Sequence, residues 1–569
     1  MGLSLHISIV PVILMVFSLQ VWLPLGCVEE ETTALLQLKD SLNYPNGTSL
    51  PSWRKGYADC CEWQSVKCGN KGRFIALNLN GVRNGELGDW YLNASLFLYF
   101  QELEWLELEG NQIAGWVENK GVYQPFKMSK LKFLNLGYNR LNNSILSYLD
   151  GPLSPKALDI SLTNLSTLHL NNITAYGSSF HSLLQSLGAL PNLTTLGLGD
   201  SDLRGRVLAF LNLKNLELLD LSSNTLNSSN IFQTIGTMTS LKTLILKDCS
   251  LNDQLPTTQG FLNLKNFEFL DMSRSTLNSS NIFQTIKTMT SLKTLRLWGC
   301  NLNGQLPTGL CDLNHLQELD IGSNDLSGFL PPCLANLTSL QQLYLSSNHL
   351  KIPMSLSPLY NLSELKYFYV FGNEIYAEED DHNLSPKFQL ESLDLSGHGQ
   401  VAGAFPKFLY HQFNLQSLDL TDTQIKGEFP NWLIENNTYL QALSLGNCSL
   451  SGPFLLPRSP HMNLSFLTIS MNNFQGQIPS EIGAYFPGLQ GLIMSDNGFD
   501  GIIPSSLGSL SSLQLLDLSD NGFDGSIPSS LGSMSSLQVI ALLGQLGNKI
   551  TCLKLLVSVI HLVALLYDY

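Results

Sequence analysis

Charged side chains are scarce in this chain, and positive ones are the scarcer sign. Only 14% of the 569 residues are Asp, Glu, Lys or Arg, and 46 acidic residues against 31 Lys and Arg give a formal net charge of −15. An acidic surface repels a phosphate backbone, so this balance argues against a nucleic-acid partner. The hydrophobic fraction of 44% nevertheless indicates a packed core rather than a disordered chain.

Sequence signatures of catalysis are also missing. The chain has no Gly-x-Ser-x-Gly, no His-Glu-x-x-His, no phosphate-binding loop and no protein-kinase signature, and its His residues are scattered. Aspartates do recur at one position of a repeated motif, which is typical of a framework ladder rather than of paired catalytic carboxylates: Asp220, Asp271, Asp320, Asp394, Asp419 and Asp517. We therefore expect no enzyme, no cofactor and no metal site.

A periodic leucine pattern dominates what is present. From Leu103 to Leu537 the motif LxxLxLxx(N/C)xL returns at intervals of mostly 24 or 25 residues. This is the signature of a leucine-rich repeat, in which each coil packs only on its neighbours. It predicts an α/β, right-handed solenoid with a parallel β-sheet on its concave face and about 19 repeats over residues 71–542.

The ninth motif position is polar and small. Asn224 and Asn348 are examples, and their amides are expected to turn the chain and to satisfy buried backbone groups. Three cysteines take the same position, and we predict that they are structural rather than nucleophilic: Cys249, Cys300 and Cys448.

Both ends of the chain depart from the repeats. Residues 1–26 contain an apolar run from Ile7 to Leu19 and predict a secretory signal, with a membrane anchor as the alternative. Residues 543–569 form an atypical hydrophobic tail, whose apolar stretch from Leu555 is shorter than the roughly 20 residues of a spanning helix. Asp568 follows it instead of basic stop-transfer residues, so a truncated or read-through end is expected rather than a membrane helix.

Glycosylation sequons support secretion independently. Fourteen Asn-x-Ser/Thr sites occur, and so many are hard to reconcile with a cytosolic solenoid. The candidate sites are Asn46, Asn93, Asn142, Asn164, Asn172, Asn192, Asn227, Asn278, Asn336, Asn361, Asn383, Asn436, Asn447 and Asn463.

Four further cysteines precede the repeats, in a segment of residues 27–70 that fits an N-terminal cap. In an oxidising compartment two disulfides are the default interpretation for Cys27, Cys60, Cys61 and Cys68, and the alternative is a zinc site, which their spacing fits poorly. Cys311 and Cys333 lie on adjacent coils, so a third bridge between them is left open. Cys552 has no expected partner.

The second half of many coils reads Gly-x-apolar-Pro, as in the segments that begin at Gly304, Gly476 and Gly501. Together with the four-cysteine cap and its Trp53 and Trp63, this pattern resembles the plant-specific subclass of leucine-rich repeats and the ectodomains of plant receptor-like proteins. The resemblance implies an extra strand beside the concave sheet and the bridges Cys27–Cys60 and Cys61–Cys68.

The same resemblance implies a function. Such proteins are cell-surface receptors without a kinase, so we expect recognition of a peptide, protein or glycan in immunity or development and signalling through a partner receptor kinase. The expected location is the secretory pathway and then the outer face of the plasma membrane, or the apoplast if the chain is truly truncated. The alternatives are a secreted inhibitor similar to polygalacturonase-inhibiting proteins, which have shorter solenoids, and a nonfunctional receptor fragment.

An internal comparison suggests where a ligand binds. Residues 212–257 and 263–308 are near copies with 11 differences in 46 positions, and five of these fall on the eight positions expected to face outward from the strands. Ile245 becomes Arg296, Lys247 becomes Trp298 and Asp248 becomes Gly299. A diversifying binding surface predicts this pattern, although relaxed constraint on exposed positions predicts it too.

Large side chains replace the usual small residues on several nearby coils. Exposed aromatics with Arg are common interface anchors, and a surface covered by a glycan or loop is the alternative. The predicted ligand-binding residues are Ile245, Lys247, Arg296, Trp298, Tyr344, Tyr367, Tyr369 and Phe371.

Overall fold

The structure is a computed structural model, and it describes residues 27–56, 59–117, 128–141, 162–172, 187, 190–201, 213–226, 235–251, 264, 266–277, 282–283, 286–378, 385–397 and 403–542. The predicted signal at 1–26, the tail at 543–569 and Cys552 lie outside these ranges. The chain divides into two compact units, Met1–Phe267 and Glu268–Tyr569. Within the described ranges no helix is both long and apolar enough to cross a membrane.

The first unit begins with a helical cap. Helix α1, Glu29–Leu42, buries Leu35 and Leu38 completely, and its first turn is held by Glu31, whose carboxylate accepts the Val28 N–H at 3.3 Å. Glu31 is itself buried and pairs with Arg73 at 2.9 Å, so the buried charge has a partner.

Arg83 joins this cap to the first coils. Arg83 is 5% exposed, and its guanidinium donates to the carbonyl oxygens of Leu42, Tyr44 and Leu87. The last carbonyls of a helix have no partner within it, so Arg83 satisfies the Leu42 carbonyl at the end of α1 and fixes the helix end against the loop that follows.

The described strands of the first unit are short. In chain order they are β1 Val66–Cys68, β2 Phe74–Asn78, β3 Trp90–Leu92, β4 Trp105–Glu107, β5 Ile113–Trp116, β6 Phe133–Asn135, β7 Thr167–His169, β8 Thr195–Gly197, β9 Leu218–Asp220, β10 Thr225–Leu226, β11 Thr243–Ile245 and β12 Ser250–Leu251. Strand β1 runs antiparallel to β2, and from there the main sheet is parallel in the order β2-β4-β6-β7-β8-β9-β11.

The second unit is built from strands of the same kind. Its described strands are β13 Phe269–Asp271, β14 Thr294–Arg296, β15 Asn303–Gln305, β16 Glu318–Asp320, β17 Asp325–Phe329, β18 Gln342–Tyr344, β19 His349–Pro353, β20 Tyr367–Tyr369, β21 Glu374–Tyr376, β22 Ser392–Asp394, β23 Ser417–Asp419, β24 Lys426–Gly427, β25 Ala442–Ser444, β26 Ser449–Gly452, β27 Phe466–Thr468, β28 Asn473–Gly476, β29 Gly491–Ile493, β30 Gly498–Gly501, β31 Leu515–Asp517, β32 Gly522–Phe523 and β33 Val539–Ala541.

Two kinds of sheet arise from these strands. The main sheet of the second unit is parallel in the order β13-β14-β16-β18-β20-β22-β23-β25-β27-β29-β31-β33, and smaller parallel sheets β15-β17-β19-β21 and β24-β26-β28-β30-β32 run beside it. Strands of the smaller sheets include the first residues of the Gly-x-apolar-Pro segments, with β15 ending at Gln305, β17 at Phe329 and β28 at Gly476. The extra strand implied by the plant-specific subclass is therefore confirmed.

Helical turns connect the sheets. In the first unit they are the 3-10 turns Cys60–Glu62, Gly85–Leu87 and Ala94–Tyr99. In the second unit they are the 3-10 turns Thr308–Asp312, Pro332–Asn336, Ser357–Leu359, Lys407–His411, Ser505–Ser509 and Ser529–Ser533, with helices α2 Asn431–Asn436 and α3 Ile482–Tyr485.

Alternation along each strand decides what is buried. The middle residue of a three-residue strand, such as Leu295, Leu319 or Leu343, is no more than 1% exposed, while its two neighbours point to the other side. Successive side chains of a strand face opposite ways, so the first, fourth and sixth motif positions build the core. The third, fifth and seventh positions stand on the opposite side, which we call the sheet face.

The ninth-position ladder is present as predicted. The Asn348 amide donates to the carbonyls of Ile321 at 3.0 Å and Leu345 at 3.0 Å, and its Oδ1 accepts the Leu326 N–H at 3.0 Å. One buried side chain therefore links two coils and leaves few backbone groups unpaired. Cys300 does the same more weakly, with its Sγ 3.0 Å from the Met272 carbonyl.

The eighth motif position adopts a left-handed backbone. Its φ is +57° at Asp248, +66° at Gly299, +55° at Met471 and +52° at Asp496. Asp, Asn and Gly tolerate this region better than other residues. The change from Asp248 to Gly299, which we interpreted as surface diversification, thus stays within the residues that this turn accepts.

Candidate functional site

Six of the predicted residues stand on neighbouring strands of the second unit. We call Arg296, Trp298, Tyr344, Tyr367, Tyr369 and Phe371 the strip. Arg296 pairs with Asp320 across β14 and β16, Asp320 with Tyr344, and Tyr344 with Tyr369, so the fifth motif positions form one continuous row. The structure therefore brings these six residues together on one sheet face.

The remaining two predicted residues belong to the first unit. Ile245 ends β11 and is half-buried, and Lys247 follows it and is exposed. They occupy the motif positions of Arg296 and Trp298.

Only part of the strip is open to solvent. Trp298 is 41% exposed and Phe371 46%, whereas the three tyrosines are half-buried. Tyr344 and Tyr369 stack with their ring centroids 5.2 Å apart and their planes 5° apart. Tyr344 and Tyr369 therefore contribute to packing on the sheet face, since large side chains on adjacent strands cover one another.

Polar contacts hold the strip side chains in place. Arg296 Nε donates to Glu318 Oε1 at 2.6 Å, and its guanidinium lies 5.4 Å from the ring centroid of Phe269. The Tyr367 hydroxyl donates to Glu391 at 2.7 Å, which raises the pKa of Tyr367 to about 12. Burial raises the pKa of Tyr344 to about 12 as well. Both tyrosines are therefore neutral hydroxyl groups near neutral pH.

The recurrent aspartates have a structural role. Asp320 Oδ1 accepts the Gly322 N–H at 3.0 Å, and Asp394, Asp419 and Asp517 each accept the N–H two residues on. Burial raises the pKa of Asp320 and of Asp394 to about 6. These carboxylates close the turns after the strands that carry them, which supports the ladder interpretation.

The first unit carries an aromatic group that sequence reasoning missed. Trp105 and Phe133 stack face to face with centroids 3.6 Å apart, and His169 lies 5.5 Å beyond Phe133. Burial lowers the pKa of His169. The signal was available, because Trp105 and Phe133 occupy the third motif position on strands that pair directly.

The cysteines divide as their positions indicated. Disulfides join Cys27 to Cys60, Cys61 to Cys68, and Cys311 to Cys333, which includes the bridge left open. The sulfur atoms of Cys27, Cys60 and Cys61 and a carboxylate oxygen of Asp59 lie within 4.8 Å of one another, but disulfide sulfurs are not the thiolates that a metal ion needs.

The ninth-position cysteines are buried thiols. Burial raises the pKa of Cys249 and Cys300 to about 12 and that of Cys448 to about 11, so none is an activated nucleophile.

Ten of the candidate glycosylation sites lie in the described ranges. Asn93 is half-buried, and the others are exposed: Asn46, Asn164, Asn172, Asn192, Asn336, Asn361, Asn436, Asn447 and Asn463. Asn142, Asn227, Asn278 and Asn383 lie outside the described residues. Whether any site carries a glycan stays a prediction.

Family models match most of this architecture. A leucine rich repeat N-terminal domain matches residues 28–69, a leucine-rich repeat region matches residues 250–496, and a leucine rich repeat matches residues 488–510 and 512–534. The first match covers the disulfide-bonded cap and the second contains the whole strip.

Curated relatives and solved structures agree with these matches. Cuscuta receptor 1 of Solanum lycopersicum is 31% identical, over 85% of this chain and 52% of its own length. Receptor-like protein 15 of Arabidopsis thaliana is 35% identical, over 86% of this chain and 46% of its own length. The chain thus spans about half the length of the curated relatives it matches.

A solved structure shares the fold at low identity. The Arabidopsis receptor kinase HAESA, in complex with the peptide hormone IDA and the co-receptor SERK1, has a TM-score of 0.51 at 22% identity and covers 92% of this chain and 95% of its own. At this identity the likeness shows the fold alone. The chain therefore belongs to the leucine-rich repeat proteins, and over its cap and repeats it is related to the plant receptor-like proteins.

Proposed function

We propose that this chain is the extracellular recognition region of a plant receptor-like protein, which binds a peptide on the strip and signals through a partner kinase. The observation that carries the proposal is the placement of Trp298 and Phe371, two large apolar side chains that stay exposed on the sheet face beside the half-buried tyrosines of the strip. Exposed aromatics in water add little to folding, whereas in an interface each can contribute more than about 1 kcal/mol.

The surroundings of the strip suit binding better than catalysis. Its aspartates are engaged with backbone N–H groups, Arg296 is paired with Glu318, and the tyrosines hold their protons. Such a surface is preorganised, so a ligand that docks on it loses little energy to rearranging the protein.

Relatives and neighbours support a peptide ligand and an extracellular site. The curated relatives are named as receptors, and the HAESA structure contains a peptide hormone and a co-receptor. The disulfide-bonded cap and the exposed sequons fit an oxidising, glycosylating compartment. We accordingly place the protein in the secretory pathway and at the cell surface.

A selection experiment tests the proposal. The full chain, made in plant cells, is immobilised and used to select binders from a random displayed-peptide library. We expect selected peptides to lose binding to the double variant Trp298→Ala, Phe371→Ala and to keep it for Trp105→Ala, a matched control that removes a 42% exposed Trp from the other unit. Failure to select any peptide, or equal binding to the double variant, would contradict the proposal.

A further inference from the structure

A slot lies between the two exposed aromatics of the strip. Trp298, Gly322, Ser346 and Phe371 share the seventh motif position on four consecutive strands, and backbone hydrogen bonds keep them in register, from Gly299 N to Gly322 O at 3.0 Å and from Ser323 N to Ser346 O at 2.8 Å. Strands are spaced by about 4.8 Å, so the Trp298 and Phe371 backbones stand about 14 Å apart.

The side chains decide how much of this space is open. A Cβ placed on Gly322 would meet Trp298 Cδ1 at 3.1 Å, so the Trp ring lies over Gly322, which is buried. Ser346 is half-buried and carries a small side chain. The open part of the slot is therefore above Ser346, with the Trp298 ring on one side and Phe371 on the other.

The charge of the slot is negative. Asp320 lies beside Gly322, where its carboxylate accepts the Gly322 N–H, and within the described part of the chain it forms no ion pair. Arg296, the nearest guanidinium of the strip, is already paired with Glu318 at 2.6 Å. Arg296, the cation of the strip, thus faces the carboxylates of Glu318, Asp320 and Asp271, and it is not available to a ligand carboxylate.

We propose that this slot binds a cationic side chain, arginine or lysine, of the peptide ligand, between Trp298 and Phe371 and above Ser346. The inference rests on the proposed peptide-binding function and specifies its chemistry. A guanidinium or ammonium gains from both aromatic faces and from the excess of carboxylates over Arg296 on this part of the sheet face. An acidic side chain would meet net negative charge, and a neutral sugar would gain nothing from it.

Peptide pools that differ at one fixed position test the inference. Three pools of random octapeptides carry Arg, Leu or Glu at one central position, and their retention on the immobilised full chain is compared. We expect the Arg pool to be retained about tenfold better than the Leu pool, in line with one partly desolvated cation–π contact and one ion pair, and the Glu pool least.

Three variants test whether the slot, rather than the rest of the strip, gives the preference for Arg. Asp320→Asn keeps an oxygen for the Gly322 N–H but removes the charge, and Ser346→Lys supplies the slot with its own cation. Both should remove the preference for Arg, while Asp500→Asn, at an exposed position outside the strip, should preserve it. Melting temperatures of all variants show whether each is folded.

The outcomes are distinct. Retention of all three pools at equal levels, lost in the double variant Trp298→Ala, Phe371→Ala, would overturn the cationic slot and leave the proposed function standing. If the wild-type chain retains none of the three pools better than the double variant does, both the cationic slot and the proposed function are overturned. A preference for Arg that survives in folded Asp320→Asn and Ser346→Lys also overturns the slot.

Discussion

At the scale of single residues, the motif position of an outward-facing side chain decides whether that side chain supports the turn or can vary without affecting it. The fifth-position aspartates accept a backbone N–H, and the eighth position has a left-handed φ in coil after coil. Only the third, fifth and seventh positions of atypical coils are left to vary without affecting the turn. These constraints cannot be deduced from leucine spacing, because they depend on backbone dihedrals and on contacts between coils.

Met471 has a left-handed backbone conformation that residues of its type disfavour. It has φ +55° and is 52% exposed, so its long side chain stands at a left-handed position without burial in return. A left-handed conformation costs an ordinary residue about 1–2 kcal/mol, and Asn tolerates it better. We expect Met471→Asn to increase the free energy of unfolding by about 0.5–1 kcal/mol. Thermal denaturation measures this, with Met462→Asn as the exposed control without positive φ.

Asp320 gives a pH-dependent prediction. Its pKa in the folded protein is about 6, above the ordinary 3.8, so the folded state holds the proton more tightly than the unfolded state. The ionised carboxylate therefore costs stability above pH 6, and the cost disappears as the pH falls towards 4.

The variant Asp320→Asn should remove that cost. We expect it to be more stable than the wild type by about 1–2 kcal/mol at pH 8, and to lose this gain near pH 4. Denaturant titrations at the two pH values are the measurement. A gain that is the same at both pH values, or shared by Asp500→Asn, contradicts the assignment of the cost to the Asp320 charge.

At the scale of elements, the sequence predicts strands and cap better than it predicts contacts. The middle leucines, the Asn and Cys ladder and the cap bridges follow from repeat spacing and resemblance, and the structure contains them. The Tyr344–Tyr369 stack and the Arg296–Glu318 pair do not follow, because each depends on which side chains adjacent coils place side by side. The Trp105–Phe133 stack could be inferred, because both residues take the third motif position on strands that pair directly.

Strand β14 offers a direct contrast between core and sheet face. Leu295 is fully buried, so Leu295→Ala should destabilise the protein by about 2–5 kcal/mol. Trp298→Ala, three residues along, should change the melting temperature little and weaken peptide binding. A loss of stability in the Trp298 variant as large as in the Leu295 variant would show that Trp298 is part of the core framework.

The hydrogen bonds of Arg83 stabilise the end of α1 in the cap. Removal of Arg83 leaves the carbonyls of Leu42, Tyr44 and Leu87 without this donor, and the bond to Leu42 is buried, so the cost is about 1–3 kcal/mol for that unsatisfied group. We expect Arg83→Met to increase hydrogen exchange in α1 and to leave exchange in β14 to β20 unchanged. Lys55→Ala, an exposed cation of the same cap, is the control and should alter neither.

At the scale of the whole molecule, repetition limits how far a local change spreads. Each coil contacts its neighbours, so stability is close to a sum over coils and the sheet face can vary without loss of the fold. The near-copied segments show this variation directly, with Ile245 and Lys247 in one and Arg296 and Trp298 in the other. The fold could therefore be predicted from the sequence, while the binding chemistry required the registers and contacts of individual coils.

We expect glycans to be attached at surface positions away from the strip. Nine described sequon asparagines are exposed, and none of them lies on a strand of the main sheets. Asn336 and Asn361 belong to the coils nearest the strip, and both precede their strands, in the turns that connect the sheets. A glycan at either site begins away from the sheet face.

We therefore expect glycosidase treatment of the full chain made in plant cells to increase its gel mobility while peptide retention stays the same. The double variant Asn336→Gln, Asn361→Gln should also bind normally. Unchanged mobility contradicts passage through the secretory pathway. Loss of retention after treatment, with the melting temperature preserved, would mean that a glycan takes part in the binding surface, because protein contacts on the strip are the same in both forms.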